Sequence, residues 1–271
     1  MKTFGKIFNT CVYILLYAPL LIMVFFSFNE SKSTSVFTGF SLKWYSELFS
    51  KSDVIEALSN TLILAVLSAL IATVLGTVAA VGLYKMRSKF LYNTMNTVTN
   101  LPMMNPDIVT GVSLMLLFVF AGRLLGFTEY LSFWTLLIAH ITFNLPYVIL
   151  NVLPKLRQTD VSLYEAAMDL GCTPVKAFFK VIMPAIMPGV VSGALMAFTL
   201  SLDDFVISYY TTGADFQTLP LKIFAMTKKT VKPDMYALSS LIFITILVLL
   251  IVINVLQEKS ERKLKGEINK K

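Results

Sequence analysis

Six stretches of this chain are apolar for long enough to cross the roughly 30 Å hydrocarbon core of a bilayer, and one sizeable charged segment separates the fourth from the fifth. That pattern restricts the fold more than any other feature. In lipid every backbone N–H and C=O must be paired inside the protein, so apolar runs of this length fold as helices. They fall at about 11–28, 57–84, 98–120, 131–153, 189–210 and 237–256. The expected fold is all-α and polytopic, with six transmembrane helices in a single membrane domain covering 1–271. Composition agrees. The chain is 56% hydrophobic and only 14% charged, with a mean hydropathy of +0.73, more apolar sequence than a soluble core of 271 residues needs.

The spans differ in detail. Lys2 and Lys6 precede the first, which resembles a secretory leader but has no small-x-small cleavage site after it, so it reads as an uncleaved span. The loop 29–56 carries Trp44 and Tyr45, which suit an interfacial helix. Gly76 and Gly82 offer close-packing points in the second span. Pro102 and Pro106 interrupt the third, and Pro146 predicts a kink in the fourth. The residues 211–236 read as a loop, and a basic tail follows 259. Cys11 and Cys172 lie too far apart for a metal or disulfide pattern and read as packing residues.

An even number of spans places both termini on one side. That side, which includes the segment between the fourth and fifth spans, carries roughly twice as many Lys and Arg as the other. The positive-inside rule therefore predicts both termini and that segment in the cytoplasm. Lys222, Lys228, Lys229 and Lys232 in 211–236 dissent but are outnumbered. The formal net charge of +7 marks loops facing anionic lipid rather than a nucleic-acid partner.

The charged segment, about 154–188, reads as a helix–turn–helix elbow at the membrane surface. Glu165, Ala166 and Ala167 open a short helix, and Gly171 allows the sharp stop that glycine makes cheaply. A second amphipathic helix then carries Val175, Phe178, Phe179 and Ile182 on its apolar side and Lys176 and Lys180 on its basic side. Pro184 and Pro188 are expected to end it. Glu165-Ala166-Ala167, then Gly171, then Val181, Met183 and Pro184 at full spacing resemble the EAA loop of binding-protein-dependent (type I) ABC importer permeases. Val181 and Met183 stand where that family usually has Ile and Leu.

Ionisable groups within the spans are few: Asp107, His140, Asp203 and Asp204. A carboxylate at the bilayer centre costs about 2.5–3.5 kcal/mol on insertion scales, so such groups face protein or a water-filled path. On a continuous fifth helix, Ser201, Asp204, Ser208 and Thr211 line one face, a stripe suited to a cation. Asp203 lies about 100° away and either pairs across helices or sits near the outer surface. Asp107 after Pro106 either caps the restarting helix or, with Thr110, walls a cavity. His140 and Asn144, four apart, share a face. They form either an interhelical polar pair or part of a transport site.

Four segments narrow the resemblance: 105–114 (NPDIVTGVSL), 140–149 (HITFNLPYVI), 201–208 (SLDDFVIS) and 219–224 (LPLKIF). They are similar to the C-type permease subunits of spermidine/putrescine importers, and with the elbow the likeness covers about 57–256. It implies a type I ABC importer permease fold with both termini inside, located in a bacterial inner or plasma membrane. It further implies a homologous permease as heterodimer partner, a cytoplasmic ABC ATPase dimer, an extracytoplasmic substrate-binding protein, and surrounding membrane lipid. Tyr164, Glu165, Ala166, Ala167, Gly171 and Pro184 would belong to the ATPase-coupling loop. Asp107, Thr110, Ser201, Asp203, Asp204 and Ser208 would be candidates for the substrate pathway.

The chain has no GxxxxGK[ST] loop, so ATP and Mg would be bound by the partner ATPase and no cofactor is expected here. No nucleophile–base constellation is present, and a single histidine excludes a multi-histidine metal site. Two alternatives keep a place. One is an ABC permease for another solute such as an anion, iron or a sugar phosphate; an anion path should show basic residues or helix N-termini where this chain shows acids. A proton-coupled secondary transporter using Asp107, His140 and Asp204 has no need of the elbow.

Overall fold

The computed structural model describes residues 2–31, 36–228, 234–248 and 251. The helices in chain order are α1 (Lys2–Phe26), α2 (Lys43–Phe49), α3 (Ser52–Lys85), α4 (Lys89–Met104), α5 (Asp107–Leu125), α6 (Phe133–Gln158), α7 (Val161–Asp169) and α8 (Pro174–Ala177). A π-turn, Phe178–Ile182, leads into α9 (Met183–Asp203), followed by α10 (Val206–Thr211), α11 (Leu219–Thr227) and α12 (Asp234–Val248). Among the described residues, five helices are long and apolar enough to cross a membrane: Phe8–Phe26, Ser52–Lys85, Asp107–Leu125, Phe133–Gln158 and Pro174–Asp203. The expected sixth span, 237–256, extends past the described residues, and α12 is shorter. The tail after 259 and Lys229 and Lys232 also lie outside them.

The chain divides into two compact units. The first comprises Met1–Leu58 and Leu219–Ile251. After α1 the chain is held by Asn29, which donates its amide to Val36 O at 2.8 Å, accepts from Thr38 N at 2.9 Å, and gives its carbonyl to the Trp44 indole at 2.6 Å. The expected helix at Trp44 and Tyr45 forms as α2, with Trp44 buried in this unit. Leu48, Val54, Ala57, Leu219 and Leu238 make the core. Lys51 pairs with Asp234 at 2.7 Å and Lys222 with Asp53. The stretch 211–236 contains α11 and the start of α12 rather than a plain loop.

The second unit, Ser59–Thr218 among the described residues, is built on α3, α6 and α9. Small residues let these helices approach closely. A Cβ at Gly76 would lie 2.7 Å from Val148, and one at Gly189 would lie 2.7 Å from the Asn151 carbonyl. Ala69, Ala72, Ala80, Val148, Val152, Ile186 and Ala197 fill the interface. The α6 helix stays continuous through Pro146 and Pro154.

Three boundaries differ from expectation. The 98–120 segment is two helices, because Asn105 turns extended and Pro106 starts α5 afresh. Pro184 and Pro188 do not end the second elbow helix. The π-turn closes with Met183 N–H bonded to Phe178 O, and Pro184 then sits in the first turn of α9, where a missing N–H is tolerated. The 189–210 span breaks after Asp203, since Asp204 is extended (φ −62°, ψ 123°) and α10 begins beyond it.

Candidate functional site

Two sites emerge within the second unit. At the elbow, Thr159 and Asp160 stop α6 and start α7. The Asp160 carboxylate accepts the Ser162 backbone N–H at 2.9 Å, and that bond holds its carboxyl below the usual aspartate range. The far end of α7 closes with Gly171 N–H bonded to Met168 O at 2.9 Å and Cys172 N–H bonded to Ala167 O at 3.1 Å. This paired closure needs a left-handed residue, and Gly171 has φ +83°. Thr173 then caps α8, with Pro174 as its first residue.

The elbow presents its residues unequally. Glu165 and Ala166 are exposed, Ala167 is buried against the elbow, and Tyr164 is half-buried beside Val81, Leu156 and Phe178. Pro184 is exposed at the start of α9. α7 is therefore open at Glu165 and Ala166 and packed at Tyr164 and Ala167.

The second site lies where α9 breaks. His140, fully buried on α6, places Nδ1 3.1 Å from the Ser201 hydroxyl and Nε2 3.1 Å from that of Ser208. Ser201 precedes the break and Ser208 follows it, so one imidazole ties both sides. Asn144 donates to Ser201 at 2.8 Å, and the Ser68 hydroxyl of α3 lies 2.9 Å from Ser201. The Asp204 carboxylate accepts the backbone N–H groups of Ile207 at 3.3 Å and Ser208 at 2.8 Å and lies 3.5 Å from His140 Nε2. It thereby satisfies amides that the start of α10 leaves open. Further on, Thr135 donates to the Thr211 carbonyl at 2.9 Å.

The structure thus gathers Ser201, Asp204, Ser208, His140 and Asn144, but not as a stripe on one helix. His140 and Asn144 act across helices and share Ser201 as a partner. Ser68 escaped sequence reasoning, because a lone serine in an apolar run gives no pattern. Asp203 stands apart from the cluster and is exposed. Asp107 is the exposed first residue of α5, where its charge suits the helix N-terminus, and Thr110 sits half-buried one turn along. Neither joins the cluster. Among the described residues Asn144 Oδ1 has no hydrogen-bond partner, so an acceptor is unused beside Ser201.

Residues 72–266 match the family described as binding-protein-dependent transport system inner membrane component. The chain is 38% identical over 264 residues to the spermidine/putrescine transport system permease protein PotC of Escherichia coli K12, covering 96% of each chain. It is 41% identical over 227 residues to the putrescine transport system permease protein PotI of the same organism, covering 84% of this chain and 81% of that one. Among solved structures, a bacterial ABC transporter involved in the import of the acidic polysaccharide alginate matches with a TM-score of 0.74 at 15% identity, covering 96% of this chain and 95% of the other. The MetNI methionine ABC transporter matches with a TM-score of 0.61 at 18% identity, covering 76% and 95%. These last two likenesses concern the fold.

Proposed function

Because the chain belongs to the family of binding-protein-dependent transport system inner membrane components, we propose that it is the permease subunit of an ATP-driven importer of spermidine, putrescine or both. The observation that carries the solute is similarity along nearly the whole chain to two permeases named for those amines. Chemistry supports it: alkyl ammonium groups stay protonated near neutral pH, and Asp107, Asp203 and Asp204 are acidic side chains within or at the ends of the apolar helices. Of these, Asp203 and Asp107 are exposed and free to meet a cation, whereas Asp204 is engaged in capping.

In this reading a second, homologous permease completes the path, a cytoplasmic ATPase dimer binds ATP and Mg, and an external binding protein delivers the amine. The elbow faces the cytoplasm. The open part of α7, Glu165 and Ala166, enters a groove on the ATPase, and the Gly171 turn transmits its movement to α9 through the π-turn. Glu165 forms no ion pair among the described residues, which leaves its charge available to a partner.

The test is uptake of labelled spermidine and putrescine by proteoliposomes holding this chain with its partner subunits, with and without ATP on the ATPase side. ATP-dependent uptake of either amine is expected. ATP hydrolysis without amine uptake would discard the solute. Uptake driven by a proton gradient alone would overturn the importer. Glu165→Lys should abolish ATP-driven uptake while the protein still inserts and keeps its thermal stability. Normal uptake in that variant would remove Glu165 from the coupling contact.

A further inference from the structure

A groove of about 540 Å³ runs along the outer face of α3 and is walled on its other side by α8, the π-turn and the first half of α9. Its α3 wall extends from Thr73 through Val78 and Val81 to Lys85. At 1.5 Å per residue that wall is about 18 Å long, close to half the roughly 30 Å hydrocarbon thickness. Apart from Thr73, Thr77 and Lys85 the lining is apolar, and Val74, Val78, Val175 and Phe179 are more than half exposed. One end carries Lys85. Lys176 and Lys180 belong to the opposite wall, next in sequence to the lining residues Val175 and Phe179, and Arg87 follows Lys85 closely in the chain. Among the described residues none of these four cations has a carboxylate within 4.0 Å.

We infer that this groove is a binding site for an anionic phospholipid, whose acyl chain lies along α3 and whose phosphate meets Lys85 and its basic neighbours. An apolar slot one leaflet long, ending in uncompensated positive charge, is complementary to that amphiphile. A neutral solute leaves the lysines unmet, and a free phosphate leaves the slot unfilled.

The position gives the lipid a consequence. Phe178 lines the groove and also a smaller neighbouring cavity shared by Lys85 and Tyr164 of α7. It is the first residue of the π-turn, the irregular point between elbow and span. A lipid wedged there links the end of α3 to the elbow and stiffens the joint through which the elbow drives α9.

The complete transporter, assembled in nanodiscs of phosphatidylcholine with or without phosphatidylglycerol, tests this. Phosphatidylglycerol should be retained by the purified complex in native mass spectrometry and should raise its substrate-stimulated ATPase rate. Lys85→Gln should weaken retention about fivefold, the loss of one surface cation. Val78→Trp, which fills the groove from an exposed position, should abolish retention and reduce the ATPase rate to the phosphatidylcholine-only level. A benzophenone side chain introduced at position 78 should crosslink to lipid. Equal retention by wild type and both variants overturns the inference, as does a crosslink to a partner polypeptide. The retention and crosslinking arms are independent of the solute carried, so they stand or fall apart from the polyamine reading.

Discussion

The Asp204 carboxylate accepts the Ser208 backbone N–H at 2.8 Å, closing the first turn of α10 across the break that follows Asp203. A capping role and a pathway role make different demands on that side chain. A cap needs an acceptor, which asparagine supplies about as well as aspartate. A pathway needs the charge. Asp204→Asn should therefore leave thermal stability and uptake within about twofold of wild type, and Asp204→Ala should cost about 1 kcal/mol of stability. Asp203→Asn, at an exposed position without that duty, should slow polyamine uptake about tenfold with stability unchanged. Uptake per inserted molecule and thermal unfolding of the purified complex decide between them. A large uptake loss in Asp204→Asn at unchanged stability would return that residue to the pathway.

His140 connects the two sides of the same break through Ser201 and Ser208. Interhelical hydrogen bonds inside membrane proteins contribute about 0.6 kcal/mol on average, up to roughly 1.7. His140→Ala also takes the imidazole partner from the buried Ser208 hydroxyl, while Ser201 keeps Asn144 and Ser68. A double-mutant cycle between His140→Ala and Ser208→Ala, measured by unfolding in detergent, should give a coupling of about 1 kcal/mol. Strict additivity would mean that the imidazole does not bridge the break.

The helices of this fold were legible wherever the apolar run itself carried the information. Pro106 announced a break and Gly171 a turn, and both are found there. The break at Asp203–Asp204 was not legible. Ser201, Asp204, Ser208 and Thr211 keep helical spacing, and no proline or glycine interrupts them. What ends α9 is tertiary, since Asp204 finds the amides of α10 and His140 reaches from another helix. Pro184 misled in the opposite sense, because a π-turn immediately before it absorbs the ring where a regular helix would stop. The polar residues were readable one at a time, but their meeting required the packing of α3, α6 and α9, which no local pattern encodes. The burial of Trp44 was likewise not legible, because it depends on the Asn29 carbonyl lying within reach of its indole.

The elbow should be insensitive to pH across the physiological range. The Ser162 amide lowers the Asp160 carboxyl below its ordinary value. A depressed carboxylate contributes stability above its unfolded value of about 3.9 and loses it as pH falls through the lower folded value. Hydrogen exchange in 161–169, corrected for intrinsic rates, should therefore stay flat from about pH 8 to 5 and accelerate only below about 4. An acceleration near pH 6 would point to another titrating group at the start of α7.

Gly171 separates strain from sterics, because a Cβ there meets no atom within 4 Å while φ is +83°. Alanine pays only the backbone cost of the left-handed region, about 1–2 kcal/mol. Gly171→Ala should then lower ATP-driven uptake partially, and Gly171→Asn, a better left-handed residue, should lie between alanine and wild type. Proline imposes φ near −65° and deletes the N–H that bonds Met168 O, so Gly171→Pro removes the closure of α7 altogether. It should abolish both ATPase co-purification and uptake while the spans still insert. The order glycine, asparagine, alanine, proline in uptake, with membrane insertion constant, is the signature of a turn whose conformation carries the coupling. An alanine variant as inactive as proline would instead place Gly171 against a partner surface that leaves no space for a methyl group.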